Sequence, residues 1–133
     1  MPYRGLAVGF IIFVGLGAAS LQAHHSPSAI FDMTKRVAIT GTLTRVDWIN
    51  PHIVLAIEAK GNGGKVDQWT FQSNPPSWYK SVGLVRADFA KAIGHEITVE
   101  AVKARDGSLY GYMQKIKLPD GTSYELINSA EPK

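Results

Sequence analysis

The chain of 133 residues contains no cysteine. Disulfide staples, thiolate nucleophiles and Cys-based zinc sites are excluded together, so stability has to come from an apolar core. Charge of one sign is also scarce: 14 Lys and Arg stand against 11 Asp and Glu, a formal net of +3. Lys35-Arg36 is the only adjacent basic pair. A basic stripe of the kind that grips phosphates is missing, and nucleic acid is not expected as a partner. Catalytic frames are missing as well. There is no GxSxG, and Gly61-Asn62-Gly63-Gly64-Lys65 has neither the spacing of a phosphate loop nor a helix after it. Glu58 and Asp67 fall on opposite arms of an expected hairpin and read as solvated charges. No nucleophile, base and orienting group can be named together, so the chain is not expected to be an enzyme.

What is present begins with residues 5–19, GLAVGFIIFVGLGAA, an uncharged run behind Arg4 that leads into small and polar residues ending at Ala23. This is the layout of a secretory signal peptide, and the run falls short of the roughly 20 apolar residues of a spanning helix. We expect residues 1–23 to be removed after Ala23 and the protein to be exported to the periplasm. A membrane is expected as a partner only through this segment if it stays uncleaved. Ala18 and Ser20 offer a competing cut before Leu21. The mature chain, 133 residues less the 23 removed, then has 110 and begins at His24.

Residues 24–36 contain proline and serine without a sustained period and read as an extended arm, anchored by Ile30 and Phe31. Residues 37–128 read as one domain. Val37, Ile39, Gly41 and Leu43 alternate with polar or small partners, then the phase slips so that Val46 and Trp48 carry the apolar face. Such a slip in one long strand predicts a bulge. Strands are expected at 52–60 and 66–73, separated by a glycine-rich turn. Asn74-Pro75-Pro76 is expected to start a short helix over 77–82, with Asn74 accepting from its first amides. Residues 84–93 are expected to add a further turn or two. Strands at 96–105 and 109–118 follow around the hairpin signal Asp106-Gly107, then a short piece at 123–127 and a frayed tail at 129–133. The fold class is therefore mainly β: a small OB-like barrel of five to six strands with one short helix between strands three and four. A three-plus-three sandwich is the alternative.

Histidine and the aromatic residues carry what chemistry is visible. A chain beginning at His24 offers its α-amine and the His24 ring to one metal, a nitrogen pair that suits Cu(II). His25 adds an imidazole, and His52 adds a third if the arm folds back. The plain alternative is that His24 and His25 are polar residues after a cut. Trp48 and Tyr112, with Asn50 near the first, are candidate contacts for a small ligand or an envelope protein partner, whereas Trp69 lies mid-strand and is expected in the core.

Ala23-His24-His25-Ser26, Phe31-Asp32, Gly41-Thr42-Leu43, Val46-Asp47-Trp48 and Asn50-Pro51-His52, with Gly94-His95-Glu96 and Leu118-Pro119-Asp120-Gly121 further on, resemble the exported bacterial proteins grouped as domain of unknown function 6152. The resemblance covers nearly the whole mature chain. It implies that His24, His25 and His52 belong to a shared signature, and it brings no established activity with it. The chain departs from that pattern at Pro27, where an aromatic is usual, and at Leu84, where tryptophan is usual.

Overall fold

A computed structural model describes residues 26–126. The expected signal segment, His24, His25 and the expected tail lie outside the described residues. Within them, α1 (Pro27–Ile30) leads into β1 (Phe31–Asp47), β2 (Val54–Lys60), a 3-10 turn (Asn62–Gly64), β3 (Val66–Gln72), α2 (Pro76–Ser81), α3 (Arg86–Ala92), β4 (Glu96–Ala104), β5 (Tyr110–Lys117) and β6 (Ser123–Glu125). The strands form a single sheet in the order β3-β2-β1-β4-β5-β6, so the two-sheet alternative is not what forms. An additional parallel pairing, Thr70 to Tyr110 through Gln72 to Tyr112, joins β3 to β5 and closes five strands into a hydrogen-bonded ring. All other pairings are antiparallel.

The ring follows from period-two alternation. Leu55, Ile57, Trp69, Phe71, Ile97, Val99, Met113 and Ile116 point inward and are buried, each contributing about 1.5–3 kcal/mol of transfer free energy. The phase slip in β1 is real: pairing with β2 shifts between Leu43 and Arg45, and the Thr44 hydroxyl donates to the Ala56 carbonyl at 3.1 Å. Two glycines mark close approaches. A Cβ at Gly41 would strike the Glu58 carbonyl oxygen, and one at Gly111 would lie 2.9 Å from the Phe71 ring. α2 contributes Tyr79, α3 contributes Phe89 and Ala92, and the connection between them adds Leu84 to the same core.

Three expectations need correction. β1 starts at Phe31, not at Val37. Residues 32–35 lack a period because they form an irregularity: Phe31 faces Ala104 but Arg36 already faces Val102. Asp32 braces it, accepting from the Thr34 amide at 3.1 Å and the Thr34 hydroxyl at 2.7 Å. Ile30, expected as an anchor, is 44% exposed, while Phe31 is fully buried. Asn74 does not cap α2. Its side chain turns inward, where Nδ2 donates to the Leu126 carbonyl at 3.2 Å and Oδ1 is buried without a partner.

Candidate functional site

The backbone between β1 and β2 carries the Trp48 to His52 motif around a cis Asn50-Pro51 bond. Beyond the last ladder pair, Val54 to Gln72, the backbone stays tied: Ser73 N–H donates to the Ile53 carbonyl at 2.8 Å and Ile53 N–H to the Asn74 carbonyl at 3.2 Å. Ile53 points inward and is fully buried, which leaves the half-buried His52 on the outer face. There the His52 Nδ1 is 2.9 Å from the Ser73 carbonyl oxygen. A carbonyl only accepts, so Nδ1 carries the proton and Nε2 of the neutral ring keeps the lone pair.

Ser73 is itself held. It is fully buried, and its hydroxyl is hydrogen-bonded to the Tyr79 hydroxyl of α2. Burial drives the Tyr79 phenol far above the ordinary tyrosine range, so it stays neutral. Next to Ser73, Gln72 points outward and its Oε1 accepts from the Tyr110 hydroxyl at 2.7 Å. Burial also raises the Tyr110 phenol.

The base of the arm reaches this face. The Phe31 ring lies 5.0 Å from that of Tyr110 and 5.5 Å from that of Tyr112. Arg105, in the β4–β5 turn, holds α1 by donating its amide to the Ile30 carbonyl and its Nε to the Ser28 carbonyl, both at 2.9 Å. Tyr112 is paired with Gln72, whose neighbour Ser73 holds His52. The backbone thus links the two: Phe31 packs on Tyr112, Tyr112 pairs with Gln72, and the next residue, Ser73, holds the His52 ring.

The other expected residues lie elsewhere. Asn50 is exposed at the tip of the β1–β2 connection. Trp48 is half-buried and packs on Tyr79 at 5.7 Å and Phe89 at 5.5 Å, as part of the inner core. Tyr112 belongs to a separate apolar cluster with Phe31, Val102 and Ala104, so Trp48 and Tyr112 do not share one apolar surface. A hollow of about 190 Å³ beside Trp48 is lined by Lys80, Leu84 and Arg86. His95 is exposed at the start of β4. Trp69 is buried in β3, as its position indicated. Among the described residues no three His, Asp or Glu side chains gather in a metal-binding group, and His52 is the candidate ligand they contain. Ser73 and Gln72 went unnoticed in the sequence. Only the outward phase of Gln72 within its strand could have pointed to one of them.

The described part is thus a small β protein with a closed ring, two short helices between β3 and β4, an outward histidine held by Ser73 and an outer aromatic cluster. Residues 13–114 match the model of a family of unknown function, DUF6152, and the chain belongs to that family. Comparison with curated proteins gives no significant match. No helix among the described residues is long and apolar enough to cross a membrane.

Proposed function

We propose that the protein is an exported module of OB-barrel type that binds Cu(II) through His24, His25 and His52. The barrel reading is supported by the ring β1-β2-β3-β5-β4, by the parallel β3–β5 closure and by the helices between β3 and β4. Export to the periplasm is supported by the uncharged run behind Arg4. The observation that carries the metal reading is the bond from His52 Nδ1–H to the Ser73 carbonyl. Metal-binding histidines characteristically donate their second ring nitrogen to a backbone carbonyl or carboxylate, which fixes the tautomer and aims the lone pair. His24, with its α-amine and ring, supplies two further nitrogens when cleavage follows Ala23, a set that suits Cu(II). The Phe31 contacts root the arm beside Tyr112. His24 lies two residues before Ser26, a reach of roughly 7 Å of extended chain.

Calorimetry with Cu(II) tests this on three forms: protein processed after Ala23, the same protein with one extra N-terminal residue, and His52→Ala. The expected outcome is a loss of about tenfold or more in affinity for each altered form, by analogy with losing one ligand or its orientation. Equal affinity in the processed and extended forms sinks the free-amine version, and an unaffected His52→Ala removes His52 from the set.

A second reading, a binding module for a small ligand or envelope partner without metal, is favoured by the outward Gln72, Tyr110 and Tyr112. Intrinsic fluorescence titrated with envelope glycans separates the two: a saturable response with no copper affinity selects the second.

A further inference from the structure

A cleft of about 470 Å³ lies between α3 and the turn that joins β5 to β6, within the roughly 300–1,000 Å³ typical of small-molecule sites. Its floor is apolar, made by Leu84, Ala92 and Leu118, all buried. Its walls carry Asp88, Lys91, Asp120 and Tyr124. Asp88 and Lys91 share a helix face at i,i+3 spacing. Asp88 spends Oδ2 on the Val85 amide at 2.9 Å, and Asp120 spends Oδ1 on the Thr122 amide at 2.9 Å. Asp88 keeps a second carboxylate oxygen, while the Asp120 carboxyl also receives the Thr122 hydroxyl. Those bonds from Thr122 hold the Asp120 carboxyl below its ordinary range, so it is ionised at neutral pH. Lys91 lines the same cleft yet enters no ion pair among the described residues. Opposite charges thus stand around an apolar floor without cancelling one another.

We propose that this cleft binds a small zwitterion of dipeptide size with an apolar side chain. The side chain rests on Leu84, Ala92 and Leu118, the carboxylate faces Lys91, and the ammonium group faces the second oxygen of Asp88 and the ionised carboxylate of Asp120. A purely apolar ligand would leave three charges unused, and a purely ionic one would leave the floor wet. Two acids against one base favour an ammonium-bearing ligand over a simple anion. The cleft shares no lining residue with the His52 face, so it stands or falls independently of the copper reading.

Titration of isotope-labelled protein, produced through its own leader, with L-leucyl-L-leucine at millimolar concentrations tests this by amide NMR shifts. Saturable shifts are expected at Gly83, Leu84, Lys91, Asp120 and Tyr124. Lys91→Ala, a change at an exposed side chain, is expected to weaken binding about tenfold, as for loss of one charge-assisted hydrogen bond. N-acetylation or C-terminal amidation of the peptide should each weaken it as well. Absence of saturable shifts, shifts centred elsewhere, or unchanged affinity in Lys91→Ala would overturn the proposal.

Discussion

Inside the ring, Leu55, Ile57, Phe71, Val99 and Met113 present nothing but hydrocarbon and thioether to one another. Outside it, Phe31, Val102 and Ala104 are covered by Met33, Tyr110 and Tyr112, and a hydroxyl-to-amide bond borders the cluster. Both regions exclude water, but they do different work. The inner cluster joins every strand from β1 to β5 and is the core that closes the ring. The outer one joins β1, β4 and β5 only, and fastens the first residues of β1, next to α1. Packing that specifies a fold is thus separated from packing that holds the start of β1 to the outside of the ring.

The strongest way to test that division is to empty one cluster at a time. Phe71→Ala is expected to cost about 3–5 kcal/mol in urea unfolding, because a buried ring is removed where few neighbours can follow. Gly111, 2.9 Å from that ring at its missing Cβ, has no side chain to fill the space. Phe31→Ala removes an equally buried ring but at the end of a strand, where α1 can fray. We expect a smaller cost, about 2 kcal/mol. Hydrogen exchange at 28–31 should quicken well before exchange in β4. Equal costs for the two variants, with exchange rising everywhere together, would mean that the clusters form a single cooperative unit.

Tyr79→Phe probes the boundary between the regions. It strips the buried Ser73 hydroxyl of its partner, which is expected to cost about 1–3 kcal/mol. Ser73 also presents the carbonyl that holds the His52 ring. The nitrogen chemical shifts of His52 should therefore move toward a mixture of tautomers in this variant. Unchanged shifts would show that the backbone bonds of Ile53 and Ser73 hold the carbonyl without help from the hydroxyl.

These features were unequally legible in the sequence. Alternation exposed β1 to β5 because inward positions on a closed ring have to be apolar. The phase slip at Leu43 to Val46 announced the bulge for the same reason. The first half of β1 was hidden because Asp32 to Lys35 bulge away from any period while Phe31 still pairs with Ala104. Asn74 looked like a helix cap because local chemistry favours it there, whereas the long-range carbonyl of Leu126 takes its amide instead. The parallel β3–β5 pairing that brings Gln72 beside Tyr112 leaves no local signature. The aromatic pattern could not show that Trp48 serves the inner core and Tyr112 the outer cluster, because that depends on which face each strand end turns inward.

The smallest expected effect concerns the border of the outer cluster. Asp32 adjoins Phe31, and Asp106 sits in the β4–β5 turn beside Arg105, which ties down α1. The Thr34 hydroxyl and amide hold the Asp32 carboxyl below its ordinary value, and the Ser108 hydroxyl and amide do the same for Asp106. A carboxyl depressed in the folded state contributes stability that is present above its unfolded pKa, about 3.9, and lost as pH falls through the folded value. Asp106 is exposed and Asp32 is half-buried at the surface, so the effect on global stability is slight. Its location is specific, however. On acidification below about pH 4, amide exchange at 28–34 and around the β4–β5 turn should quicken while Phe71 and Val99 stay protected. Asp32→Asn, which keeps an acceptor without the charge, should flatten that pH dependence at 32–34 and leave the turn at Asp106 responsive. Loss of protection in the inner strands at the same pH as the border would show that the outer cluster does not open on its own.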